Sequence, residues 1–154
     1  MKILIATDFS PVGRAAAFYG YKLAQKTAMD VVFFHTTPQT AKLLEGYGIK
    51  AVIAGSTKAE QKLIEDNARK NLHKLMEEVI LENGKSPETQ IDEYIAAGDA
   101  GEEILKYAKA CDADMIVMGY KSYSAISEIL VGSTAAKVSR YAPCSVLIYR
   151  PHKG

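Results

Sequence analysis

The chain has 154 residues, 48% hydrophobic and 24% charged, with 19 basic against 18 acidic side chains and a formal net charge of +1. That length supports one ordinary core, so we expect a single domain over 1–154, with 38–56 forming a flap or partly ordered loop. The interspersed charges offer no basic block to track a phosphate backbone, and no apolar run is long enough to cross a bilayer. Both features argue against nucleic acid and membrane as partners and for a soluble, cytoplasmic protein.

The opening MKILIATDFS lacks the long apolar region and cleavage site of a secretory signal, and Met1 to Ala6 reads as a strand. Ser10 and Pro11 then form an N-cap and first-turn pair, with Ala15, Ala16, Tyr19, Leu23 and Ala24 at helical spacing. A second strand covers VVFF at 31–34. The next helix is expected from Thr57, capped by its side chain, to near Gly84, with the stripe Ile64, Ala68, Leu72, Leu75 and Val79. QIDEYIAA at 90–97 alternates as a strand near a sheet edge does, and Asp99 with Glu102 starts a third helix carrying Ile104, Leu105 and Ala108 inward. IVMG at 116–119, a helix from Gly132 that stops before Pro143, and SVLIY at 145–149 complete the order.

Strand and helix therefore alternate, and the continuous apolar strands are those of a sheet covered on both faces. The fold expected is α/β, a five-stranded parallel doubly wound sheet flanked by four helices, with its chemistry at the carboxyl ends of the strands.

No G-x-x-x-x-G-K-[ST], G-x-G-x-x-G or G-x-S-x-G motif occurs. Cys111 and Cys144 have no CxxC spacing and read as reduced thiols, and His35, His73 and His152 are too scattered to suggest a metal site. What does occur is Gly119, two residues, Ser122, nine residues, then Gly132-Ser133. A strand-end glycine followed by a helix start suits phosphate, through free amides and the helix dipole, with Ser133 and Thr134 adding hydroxyls. The same Gly132-Ser133-Thr134 fits a plain helix cap equally well. Asp8 also fits a simple turn former, Asp99 a cap, and Lys121 a solvated loop residue able to swing toward phosphates.

ILIATDFS, GDAGEEILKYAKACDADMIVMG and ILVGSTAAKVSRYAPCSVLIYR together make the whole chain resemble the universal stress protein family. The resemblance implies a Rossmann-like fold related to the adenine-nucleotide α-hydrolases and a site for ATP, or for AMP or ADP, with magnesium. It places Asp8 at the ribose, Ala6 and Thr7 in the adenine pocket, and the Thr36 backbone on the adenine. Met118 and Gly119 would pack under ribose and phosphates, and Gly132, Ser133 and Thr134 would cradle the phosphates. The family's nucleotide-binding motif is G-x-x-G, nine residues, G-[ST], so Ser122 replaces its second glycine, and Ala135 replaces a hydroxyl common in ATP-binding relatives. A serine at a positive-φ position costs about 1 kcal/mol, roughly fivefold in affinity, which weakens a site without abolishing it.

The resemblance thus implies a non-enzymatic or at most weakly hydrolytic ATP-binding regulator of stress response, dimerising through strand 145–149. The alternative is a nucleotide-free stress-response dimer. A phosphate-accepting receiver and an adenylate-transferring enzyme fit poorly, because the paired acids and final lysine of the first and the His-containing loop of the second are missing.

Overall fold

The computed structural model describes residues 1–39, 54–121 and 131–152. Within them, five parallel strands form one sheet in the order β3-β2-β1-β4-β5. The elements are β1 (Lys2–Ala6), α1 (Pro11–Thr27), β2 (Asp30–Thr37), α2 (Ala54–Asn83), β3 (Ile91–Ala97), α3 (Ala100–Ala110), β4 (Met115–Gly119), α4 (Ser133–Tyr141) and β5 (Ser145–Tyr149). This is the expected architecture, with QIDEYIAA at one sheet edge and SVLIY at the other.

The two sides of the pleat build two cores. Ile3, Ile5, Phe33 and Val117 meet Tyr21 of α1 and Leu72, Leu75 and Val79 of α2 on one face. Leu4, Phe34 and Ile116 meet Ile104 and Ala108 of α3 and Val138 of α4 on the other. The centres of β1, β2 and β4 are thereby covered on both faces, which is why these strands carry continuous apolar runs, whereas the edge strand β3 alternates and leaves Tyr94 exposed.

Two expectations need correction. The buried face of α1 is Gly13, Ala16, Ala17, Gly20, Tyr21 and Ala24, whereas Tyr19 is 46% exposed. The stripe is rotated because small residues let the helix lie close to the sheet: a Cβ on Gly20 would stand 3.1 Å from both Ile5 and Val117. Spacing alone favoured the larger Tyr19 over the glycines. The second helix begins at Ala54, so Thr57 lies inside it and not at its cap. Its other end is as expected, with Gly84 at φ +79 accepting hydrogen bonds from Tyr21 Oη at 2.8 Å and Gln25 Nε2 at 2.7 Å. Of the expected flap at 38–56, residues 40–53 lie outside the described residues.

Candidate functional site

Chain connections leave β1 and β4 in opposite directions across the sheet, and a crevice opens between neighbouring strands at such a point. A cavity of about 270 Å³ lies there. Its lining includes Ala6, Thr7 and Asp8 after β1, Thr36 of β2, Met118 and Gly119 of β4, and Gly132, Ser133 and Thr134 at the start of α4. The structure thus brings nine of the ten expected residues to one place; the tenth, Ser122, lies outside the described residues.

The β1 wall is wired by its own side chains. Thr7 Oγ1 accepts from Phe9 N at 3.2 Å, Asp8 Oδ1 from Ser10 N at 3.0 Å, and Ser10 Oγ from Gly13 N at 3.0 Å. Phe9 sits at φ 61, a left-handed conformation a bulky side chain seldom adopts, with its ring 4.3 Å from that of His35. Gly13 completes the turn: a Cβ there would lie 2.4 Å from Asp8 Oδ1, so the missing side chain lets the carboxylate fold over the first turn of α1.

At the end of β2 the sheet edge opens onto the cavity. Phe34 O accepts from Thr7 N at 2.9 Å, the last bond between these strands. In a parallel ladder alternate residues direct both backbone groups to the same neighbour, so Thr36 aims its amide and carbonyl toward a strand that has already ended. The Thr36 hydroxyl is buried without a hydrogen-bond partner among the described residues. His35 Nδ1 donates to Thr7 O at 2.7 Å, and burial lowers its pKa against the opposing pull of that carbonyl and of Asp8.

The β4–α4 wall is built differently. Gly132 N donates to Tyr120 O at 2.7 Å, so residues 120 and 132 meet and α4 starts beside the end of β4. Ser10 caps Gly13 N in α1 and Asp99 caps Glu102 N in α3, but among the described residues no side chain caps α4. Gly132 and the first three residues of α4, Ser133, Thr134 and Ala135, all line the cavity. The helix's first-turn amides keep their donors and the positive end of the dipole directed at whatever binds.

Gly119 lines the cavity for a reason the motif did not suggest. A Cβ there would meet Val12 Cγ1 at 2.8 Å, so the glycine lets α1 close onto β4. Lys121 also lines the cavity, 5.2 Å from the Tyr120 ring, and so differs from a plain solvated loop residue. Asp99 is the cap expected, accepting from Glu102 N at 2.9 Å, and this bond and then Lys137 hold its pKa below the usual carboxylate value.

Sequence reasoning passed over Gly13, Phe34, His35, Ala100 and Ile104 as site residues, and all of them line the cavity. Gly13 carried one usable signal, since glycine in a first helical turn sacrifices helix propensity and so asks for a steric reason. The others face the crevice only through tertiary packing.

Taken together, a helix-covered parallel sheet and a crevice at the point where its winding reverses define a doubly wound α/β protein. Residues 1–150 match the universal stress protein family, and the chain belongs to that family. A curated relative, universal stress protein Sll1388 of Synechocystis, is 28% identical over 152 residues, 96% of each chain. Among solved structures, the universal stress protein UspA from Lactobacillus plantarum superposes with a TM-score of 0.77 at 21% identity, over 97% of each chain. A universal stress protein in complex with cAMP gives a TM-score of 0.66 at 17% identity, over 97% of this chain and 96% of that one. An Arabidopsis thaliana family protein with AMP bound gives 0.60 at 14% identity, over 99% and 93%.

Proposed function

We propose that this universal stress protein is an adenine-nucleotide-binding regulator that holds ATP in the β1/β4 crevice and acts in stress response through its partners. The observation that carries this reading is the uncapped α4 start, where Ser133 and Thr134 add hydroxyls to free amides at the cavity wall. Opposite them, Asp8 is held by Ser10 N where a ribose hydroxyl would bond it, and Thr36 aims its backbone where an adenine edge would lie. Family relatives solved with cAMP and AMP support an adenine nucleotide over other anions.

A magnesium ion accompanying ATP would be held mainly by phosphate oxygens and water, with Asp8 the one carboxylate among the described cavity residues. The site works as a binder and not as an efficient hydrolase. Ser133 and Thr134 are hydrogen-bonded to no general base among the described residues, and His35 already uses Nδ1 on the Thr7 carbonyl. The active form is a cytoplasmic homodimer paired through the edge strand β5, whose one sheet neighbour is β4. No described helix is long and apolar enough to cross a membrane.

The test is to purify the protein without added nucleotide, denature it, and resolve the released small molecules by ion exchange, beside an Asp8→Ala, Ser133→Ala double variant. Stoichiometric ATP or its hydrolysis products from the wild type alone is the expected result. An empty wild type that also fails to bind millimolar ATP with magnesium would leave the nucleotide-free dimer, the reading that the buried, hydroxyl-free Ala135 favours. Steady ATP turnover well above a buffer blank, abolished by Asp8→Ala, would overturn the non-enzymatic assignment.

A further inference from the structure

We propose that Lys121 sets the phosphate-chain specificity of this crevice, making it a site for nucleotides with an extended polyphosphate over monophosphates and cyclic phosphates. The inference rests on the nucleotide reading above and adds to it the class of nucleotide.

The argument begins with two lysines near the same helix. Lys137 of α4 is consumed within the protein: its Nζ donates to Asp99 Oδ1 at 3.1 Å and to Glu102 Oε1 at 3.2 Å, and both bonds raise its pKa. Lys121 lines the cavity and has no carboxylate partner among the described residues. Its recorded contact is the face of the neighbouring Tyr120 ring. A cation resting on an aromatic face is held more weakly than one donating to a phosphate oxygen, so the side chain is free to exchange the first for the second.

Position makes the exchange selective. Gly132 N bonds Tyr120 O, and a Cβ on Gly132 would lie 3.3 Å from Lys121 Cα, so the lysine stem starts beside the α4 cap and ahead of its first-turn amides. One phosphate can be met by those amides and by Ser133 and Thr134, without the lysine. A longer chain extends past them and carries the additional negative charge that Lys121 answers. Among the described titratable residues lining the cavity, Asp8 is acidic and His35 is disfavoured as a cation by burial, so the lysine is the full positive charge present.

The experiment is calorimetric titration of wild type, Lys121→Met and Lys121→Arg with ATP, AMP, adenosine and inorganic tripolyphosphate at constant ionic strength, with thermal melts to show that each variant folds. In the wild type ATP binds at least about tenfold tighter than AMP, and Lys121→Met removes about tenfold from ATP, equivalent to about 1.4 kcal/mol, while AMP and adenosine change less than about twofold. Lys121→Arg retains most of the ATP affinity. If ATP and adenosine weaken alike in Lys121→Met, or ATP is unaffected, the specificity role is overturned while the nucleotide site stands. If the wild type binds none of the four, both readings fall.

Discussion

The two walls of the crevice spend their hydrogen-bond donors in opposite ways. On the β1 side the amides of Phe9, Ser10 and Gly13 are each taken by a neighbouring side chain, and the wall is a fixed shape. On the β4–α4 side the helix begins without a side-chain cap among the described residues, and its first-turn amides face the cavity. In the proposed function the first arrangement positions a group and the second binds one. In a protein that caps α1 and α3 with side chains, a glycine cap on α4 gives up only a few tenths of a kcal/mol and leaves room at the helix start for the anion of the proposed reading.

The contrast can be broken most severely by capping α4. Gly132 has φ −61 and ψ 154, open to any residue, and an added Cβ must only ease past Lys121 Cα at 3.3 Å. Gly132→Asp should lower ATP affinity about a hundredfold, close to 2.7 kcal/mol, by occupying the amides and repelling phosphate. Its unfolding free energy should stay within about 0.5 kcal/mol of wild type, because Asp and Gly differ little as caps. Equal ATP affinity in dialysis would show that the free amides are not the binding element.

The opposite wall is attacked through Gly13. In Gly13→Ala the new Cβ meets Asp8 Oδ1, so the carboxylate must leave its bond to Ser10 N. We expect a loss of about 1–3 kcal/mol in denaturant stability together with weaker ATP binding. Asp8→Ala combined with Gly13→Ala should recover most of the stability and none of the binding. Non-additivity in both is the outcome that matches: the double variant is more stable than Gly13→Ala and binds ATP no more weakly than Asp8→Ala.

Gly119 sharpens the comparison by separating packing from binding on the second wall. Gly119→Ala should cost about 1–2 kcal/mol through its collision with Val12 Cγ1, and Val12→Ala should relieve it in a double-mutant cycle. A full cost that persists without Val12 would place the constraint in the crevice instead.

His35 gives the smallest effect. Burial keeps its folded pKa below the ordinary 6.5, so as pH falls the unfolded chain takes up this proton first. The stabilisation is whole above the ordinary value and is lost as pH drops from there toward the folded value. Urea midpoints at about pH 7.5 and about pH 5.5 should therefore separate more for wild type than for His35→Gln, since the variant lacks that titration. Equal separations would show that His35 does not contribute.

Much of this was legible in the chain. The central strands β1, β2 and β4 carry continuous apolar runs because both faces are covered, and Ser10-Pro11, Asp99 and Gly84 mark helix boundaries by local chemistry that tertiary context did not override. The inner face of α1 was not, because close approach selects Gly13 and Gly20, which carry no hydrophobic signal. At the crevice, Gly132-Ser133-Thr134 was visible as a helix start, but whether a side chain caps it is a fact of three-dimensional placement. Lys121 and Lys137 look alike in sequence, and only the meeting of α3 with α4 separates the neutralised lysine from the available one.

The most direct test of the central claim is an amide-detected NMR titration of uniformly ¹⁵N-labelled protein with ATP and magnesium. The largest shifts should fall on the amides of Gly132, Ser133, Thr134 and Thr36, with those of Phe9, Ser10 and Gly13 moving less because their donors are already bonded. No shift at millimolar ATP, or shifts confined to residues away from the crevice, would contradict the account.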